Sequence, residues 1–152
     1  MTIAPIVKTI DVKCDPQRAF QLFSARMGDW WPAGHSIGAS PIKAVVIEPR
    51  TGGRWFERGE DGVETAWGRV LEWAPPGRLL LAWQINAAWT YDPDFETELE
   101  LTFTPLPAGT RVRLEHRNLE RFGDGAEKMA ASLKGGWPTI VDGFAVFADR
   151  QS

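Results

Sequence analysis

The chain has 152 residues, the length of one domain at roughly 150 residues each. Apolar residues make up 43% and charged residues 24%, and 17 basic against 20 acidic side chains leave a formal net charge of -3. That balance excludes intrinsic disorder, and it excludes nonspecific nucleic-acid or anionic-membrane binding, which needs a basic stripe.

Met1 to Val12 carries no charged region followed by an apolar stretch, because Lys8 interrupts the one candidate, so no signal peptide is expected. Instead, Ile6, Lys8, Ile10 and Val12 alternate with Val7, Thr9 and Asp11, which predicts a strand. The single cysteine, Cys14, leaves no disulfide framework and fits a reducing cytoplasm. Asp15 suits a helix N-cap and Pro16 the first helical position, while Ala19, Phe20 and Phe23 share one helical face. Ser24 to Trp31 reads as a second short helix, stopped by Pro32 and Gly34, with a loop through Pro41.

Strands are predicted at Lys43 to Glu48, Arg54 to Arg58, Thr65 to Trp73, Leu79 to Gln84, Thr97 to Thr104 and Arg111 to Arg117. Turn chemistry separates them at Pro49 to Gly53, Gly59 to Gly62, Pro75 to Gly77, Asp92 to Asp94 and Pro105 to Gly109. With Ile6 to Val12 they make a seven-stranded antiparallel sheet. Leu99, Leu101 and Phe103 alternate with Glu98, Glu100 and Thr102, so one face is covered and the other is wet. On Thr65 to Trp73 apolar residues occur on both faces, and alternation alone does not orient Trp67 and Trp73. Trp137, Ile140, Val141, Phe144 and Phe147 form one stripe of a C-terminal helix that begins near Ala126 and covers the sheet. Gly135, Gly136 and Pro138 predict a kink or break in it. The longest apolar run, Leu79 to Trp83, is far below the ~18 residues of a membrane span.

This order of elements resembles the START-like (SRPBCC) superfamily. Phe20 in a helix begun by Asp-Pro, Trp30-Trp31-Pro32, Glu48-Pro49-Arg50-Thr51-Gly52-Gly53-Arg54-Trp55, Gly68-Arg69-Val70-Leu71-Glu72, Pro75-Pro76-Gly77-Arg78-Leu79, Trp83 and Gly136-Trp137 are similar to the branch related to the ATPase activator of the 90-kDa heat-shock chaperone. The resemblance spans nearly the whole chain. It implies an α+β helix-grip fold: a curved seven-stranded antiparallel sheet wrapped around the long C-terminal helix, with two short helices after the first strand. It also implies one of three roles: a carrier of small molecules, a cyclase or dehydratase, or a chaperone-associated interaction module.

No reaction motif stands in its required context. Gly34-His35-Ser36-Ile37-Gly38 matches GxSxG, but a nucleophile elbow needs a strand before it and a helix after it, and Trp31-Pro32 and Ser40-Pro41 supply neither. His35 and His116 lie far apart, and no HExxH or paired CxxC implies a metal. Gly123-Asp124-Gly125 lacks the third glycine of a dinucleotide loop, and Asp92 and Asp94 lack the glycine and closing glutamate of a calcium loop. No cofactor is expected. Arg54, Arg58 and Arg69 suit carboxylates or phosphates, although alternation against Trp55 sends Arg54 to the wet face.

The eight tryptophans, beside one tyrosine, carry the functional expectation, because ligand pockets are mostly apolar and aromatic with few polar anchors. An elongated cavity between sheet and helix is predicted, lined by Trp31, Trp55, Trp83, Leu101, Phe103, His116, Trp137 and Val141. Its ligand would be a hydrophobic or aromatic small molecule, with His116 as the orienting polar group. Trp89, Tyr91 and Phe95 fit a lid or a homodimer contact.

Overall fold

The computed structural model describes residues 2–151. Strand β1 (Ile6–Val12) leads into helix α1 (Pro16–Ala25). There Asp15 Oδ1 accepts the Arg18 amide at 2.8 Å, and Pro16 occupies a position where no backbone donor is needed. Ser24 closes this helix rather than opening the next, its hydroxyl donating to the Phe20 carbonyl at 2.8 Å. Helix α2 is therefore shorter than expected, Met27–Trp30.

Strands β2 (Ile42–Ile47), β3 (Arg54–Gly59), β4 (Glu64–Ala74), β5 (Arg78–Trp83), β6 (Thr97–Leu106) and β7 (Gly109–Arg117) form an antiparallel meander. The sheet order is β1-β7-β6-β5-β4-β3-β2, so the first strand returns beside the last. Strand β6 runs through Pro105, where the sequence suggests a turn. It does so because pairing with β5 ends at Thr102, which leaves that side of β6 unpaired, and a residue without an N–H is tolerated there. Outward-facing Arg78 bonds Glu72 and Glu100, and Arg117 bonds Glu98, Glu100 and Glu115, an ion ladder across the wet face.

Two bulges explain the ambiguous reading of β4. Trp55 pairs with Gly68 but Phe56 with Ala66, and Val70 pairs with Leu81 but Glu72 with Leu80, so Trp67 and Leu71 are extra residues. The first bulge turns Trp67 to the covered face, and the second brings Trp73 there against Phe20, ring centres 4.9 Å apart.

A short 3-10 helix (Leu119–Gly125) precedes helix α3 (Ala126–Arg150), which lies on the covered face of the sheet. No break occurs at Pro138, and α3 continues through it. Pro138 withdraws one donor, from the carbonyl of Lys134, which is an exposed residue. Trp137, Ile140, Val141 and Phe144 are buried as their spacing requires, and Phe147 is half-buried at the end of the stripe.

The sheet also depends on close backbone approach at β4. A Cβ on Gly68 would sit 1.7 Å from the Ala82 carbonyl oxygen of β5. Gly68→Ala is expected to lose about 3 kcal/mol of stability, read as a lowered urea midpoint; a midpoint equal to wild type would show that β5 yields without cost.

Candidate functional site

Phe20, Phe23, Phe103 and Phe144 fill the middle of the grip, with neighbouring ring centres 5.2–6.1 Å apart. Leu101 and Val141 are buried in the same core. The space bordered by α3 therefore lies at one end and not along the whole helix, and a separate, more open groove runs between α1 and Ile47, Trp73 and Pro75. The end space is a cavity of about 330 Å³ bounded by α3, the 31–37 loop after α2, the bulged part of β4 and the end of β5. Trp31, Trp67, Trp83, Trp89 and Trp137 line it, together with Ile37, Ile85, Leu133 and Ile140. Gly136 borders the same space; a Cβ there would meet nothing within 4 Å.

Of the eight residues predicted to line a cavity, Trp31, Trp83 and Trp137 do so. Leu101, Phe103 and Val141 are core instead, because aromatic packing closes the middle of the grip. Trp55 is covered by Trp67 and Trp83, at 5.5 and 6.0 Å between ring centres. Trp67 and Ile37 were missed: Trp67 reaches the cavity only through the bulge, and Ile37 lies in an irregular segment without periodicity.

Four of the five lining indoles have their N–H groups tied up. Trp31 Nε1 donates to the His35 carbonyl at 2.8 Å, Trp83 Nε1 to the Ile85 carbonyl at 2.9 Å, and Trp67 Nε1 to Glu57 Oε1 at 2.9 Å. Trp137 Nε1 donates to His116 Nδ1 at 3.1 Å. With these donors engaged, the rings offer the cavity their carbon surfaces.

His116 stands behind the cavity, in its supporting wall. It is 0% exposed, between Trp83 and Trp137. Trp137 can only donate, so Nδ1 accepts and the proton sits on Nε2, which lies 2.8 Å from Thr97 Oγ1. The Thr97 hydroxyl then donates to the Trp83 carbonyl at 3.4 Å. This chain joins α3, β7, β6 and β5, and burial pushes the His116 pKa down to about 3.

The sequence 34–38 is a loop between α2 and β2, with the His35 amide donating to the Pro32 carbonyl at 3.0 Å. No elbow forms. Gly34, His35, Ser36 and Ile37 instead make one wall of the cavity, with His35 exposed at its rim. Among the three lid candidates only Trp89 borders the space, while Phe95 packs on Phe122 at 5.0 Å. Trp89 is 47% exposed and holds φ +57°, a conformation costly for a bulky side chain. Asn86 imposes it, accepting the Ala88 and Thr90 amides at 3.0 and 3.1 Å on its Oδ1.

Arg54 and Arg58 flank Phe56 on the outer face and pair with Glu64, and Arg69 pairs with Glu96. None of the three borders the cavity. Among the described residues no cluster of His, Cys, Asp and Glu could hold a metal, and no helix is long and apolar enough to cross a membrane.

A curved antiparallel sheet gripping a C-terminal helix, with a cavity between them, defines a protein of the START-like superfamily, a ligand-binding fold. The family model described as "Activator of Hsp90 ATPase homolog 1-like protein" matches residues 13–149, and the chain belongs to that family. Among solved structures it is similar to an anthrahydroquino-γ-pyrone synthase, Txn09, solved as a complex. The two are 38% identical with a TM-score of 0.67, over 95% of this chain and 96% of that one. It is also similar to CalC, a self-sacrificing resistance protein from Micromonospora echinospora, at 29% identity and TM-score 0.74, over 97% and 96%. The Aha1 dimer from Colwellia psychrerythraea shares the fold, at 14% identity and TM-score 0.68, over 97% of each chain. No curated protein matches the chain.

The His116 wall predicts a pH dependence. Its folded pKa, about 3, lies below the ~6.5 of an unfolded histidine, so the unfolded chain takes up the proton first. The stability tied to a neutral His116 is complete above pH ~6.5 and is lost as pH falls toward the folded value, at up to ~1.4 kcal/mol per pH unit. Urea unfolding at neutral pH and pH ~5 should show this loss in wild type and a smaller one in His116→Gln. Equal slopes would place the proton uptake elsewhere.

Proposed function

We propose that the chain is a cytoplasmic protein that holds a planar, polycyclic aromatic small molecule between the indole faces of the end cavity. The observation that carries this reading is five tryptophans around one space of about 330 Å³, a volume within the range of small-molecule pockets. Four of their N–H groups are already engaged. Such a wall offers dispersion and π-stacking, which suit a flat fused ring system, while His35 and Ser36 offer polar contacts on the loop side. The relation to a synthase whose name denotes a fused aromatic pyrone supports the same ligand class.

Anthraquinone sulfonate, a flat and water-soluble probe, should quench the tryptophan emission saturably. Trp31→Ala should weaken binding about tenfold, from the loss of one stacked ring. Gly136→Phe should abolish binding with no fall in the urea midpoint, because its side chain enters open space. Trp73→Phe, away from the cavity, should bind as wild type does. Saturable quenching that survives Gly136→Phe would remove the cavity from the reading.

Catalysis in the same cavity is the second reading, favoured by the same 38% identity to a synthase. We assign no proton transfer to His116, which does not border the cavity and has both ring nitrogens engaged. His35 is the imidazole that borders the space. If the protein closes a ring on a bound aromatic precursor, His35→Ala should lower kcat with little change in probe affinity; equal turnover by the two would remove that role.

A further inference from the structure

Glu57 shares the covered face of β3 with Trp55 and is 1% exposed. Burying a carboxylate is costly, and its hydrogen bonds must compensate. The partners are two donors from separate segments: Oε1 accepts the Ile37 amide at 2.7 Å and Trp67 Nε1 at 2.9 Å. Both donor residues line the cavity, whereas Glu57 stands behind them. Oε2 has no partner among the described residues. It lies where the loop passes, since a Cβ on Gly38 would come within 2.9 Å of it and 3.3 Å of Thr65 Oγ1.

The 31–37 loop has no strand pairing to set its shape. The Trp31 indole is tied to the His35 carbonyl, and the Ile37 amide is tied to Glu57. The same oxygen fixes the rotation of Trp67, whose ring stands 5.0 Å from Trp31. An apolar side chain at position 57 would fill the volume more cheaply, but it would leave both cavity walls without their common acceptor.

We infer that Glu57 is a positioning residue that holds Trp67 and the 35–37 loop in place as two walls of the cavity that takes the aromatic ligand. The ligand part of this inference rests on the reading of the cavity as an aromatic binding site.

The test compares Glu57→Gln, which retains the Oε1 acceptor, with Glu57→Leu, which removes it at similar volume. Without ligand, NMR reads the Trp67 indole N–H resonance, assigned with Trp67→Phe, and the hydrogen exchange of the Ile37 amide. Anthraquinone sulfonate titration then reads affinity. Glu57→Leu should shift the Trp67 resonance, speed Ile37 exchange and weaken the probe about tenfold, as expected for two donors losing one acceptor. Glu57→Gln should restore all three readouts to near wild type. A folded Glu57→Leu protein with unchanged resonance, exchange and affinity would overturn the inference. If Glu57→Leu does not fold, hydrogen exchange in the wild type decides: an Ile37 amide protected well beyond its neighbours in the 31–37 loop supports the latch, and exchange at the rate of those neighbours overturns it. If wild type itself fails to bind the probe, the aromatic-site reading falls, and the ligand-free resonance and exchange still decide whether Glu57 holds the walls.

Discussion

An indole can line a cavity in a folded core only if its N–H finds an acceptor, because a buried donor left unmatched costs about 1–3 kcal/mol. Much of the architecture at the open end of this protein answers that constraint. The acceptors are the His35 and Ile85 carbonyls, the Glu57 carboxylate and the His116 imidazole. Each draws the polar edge of a ring toward a partner and leaves carbon surface for the cavity. Trp55 is the exception, with a buried Nε1 that has no partner among the described residues.

These acceptors also hold together elements that are distant in the chain. His116 links α3 to β6 and β5 through Thr97. Glu57 links β3, the bulge of β4 and the loop before β2. The cavity thus lies where side-chain hydrogen bonds, rather than strand pairing, join the layers. In the middle of the grip, Phe20, Phe23, Phe103 and Phe144 close the space by shape alone. A local network of this kind lets an open region persist beside a dense core, because the wall is fixed by directional bonds and need not collapse inward.

A synthase and a resistance protein are among the structures to which this chain is similar, and the fold alone does not choose between activities. The cavity narrows the choice. On the function proposed above, its aromatic lining and its modest volume suit a flat apolar ligand better than a long lipid tail. The neutral, fully engaged His116 moves attention to the rim, where His35 and Ser36 stand on an irregular loop. Function on loops held by a rigid scaffold is the common arrangement.

The strands, the Asp15-Pro16 helix start and the stripe from Trp137 to Phe144 were legible in the sequence because alternation, capping and helical periodicity are local properties of the chain. Trp31, Trp83 and Trp137 were legible as cavity residues because they lie on or beside regular elements whose covered face is known. Trp67 was not, since a bulge changes the side of the sheet that a residue faces and leaves no local mark. Glu57 reads locally as one more charge on a strand, and His116 as a histidine at a strand end; only their partners, 10 to 21 residues away, reveal what they hold. The amino-acid sequence by itself determined the elements, the covered face and the abundance of tryptophan. The tertiary structure alone decided where the core closes and which indoles border the space that remains, because both depend on side-chain packing between segments far apart in the chain.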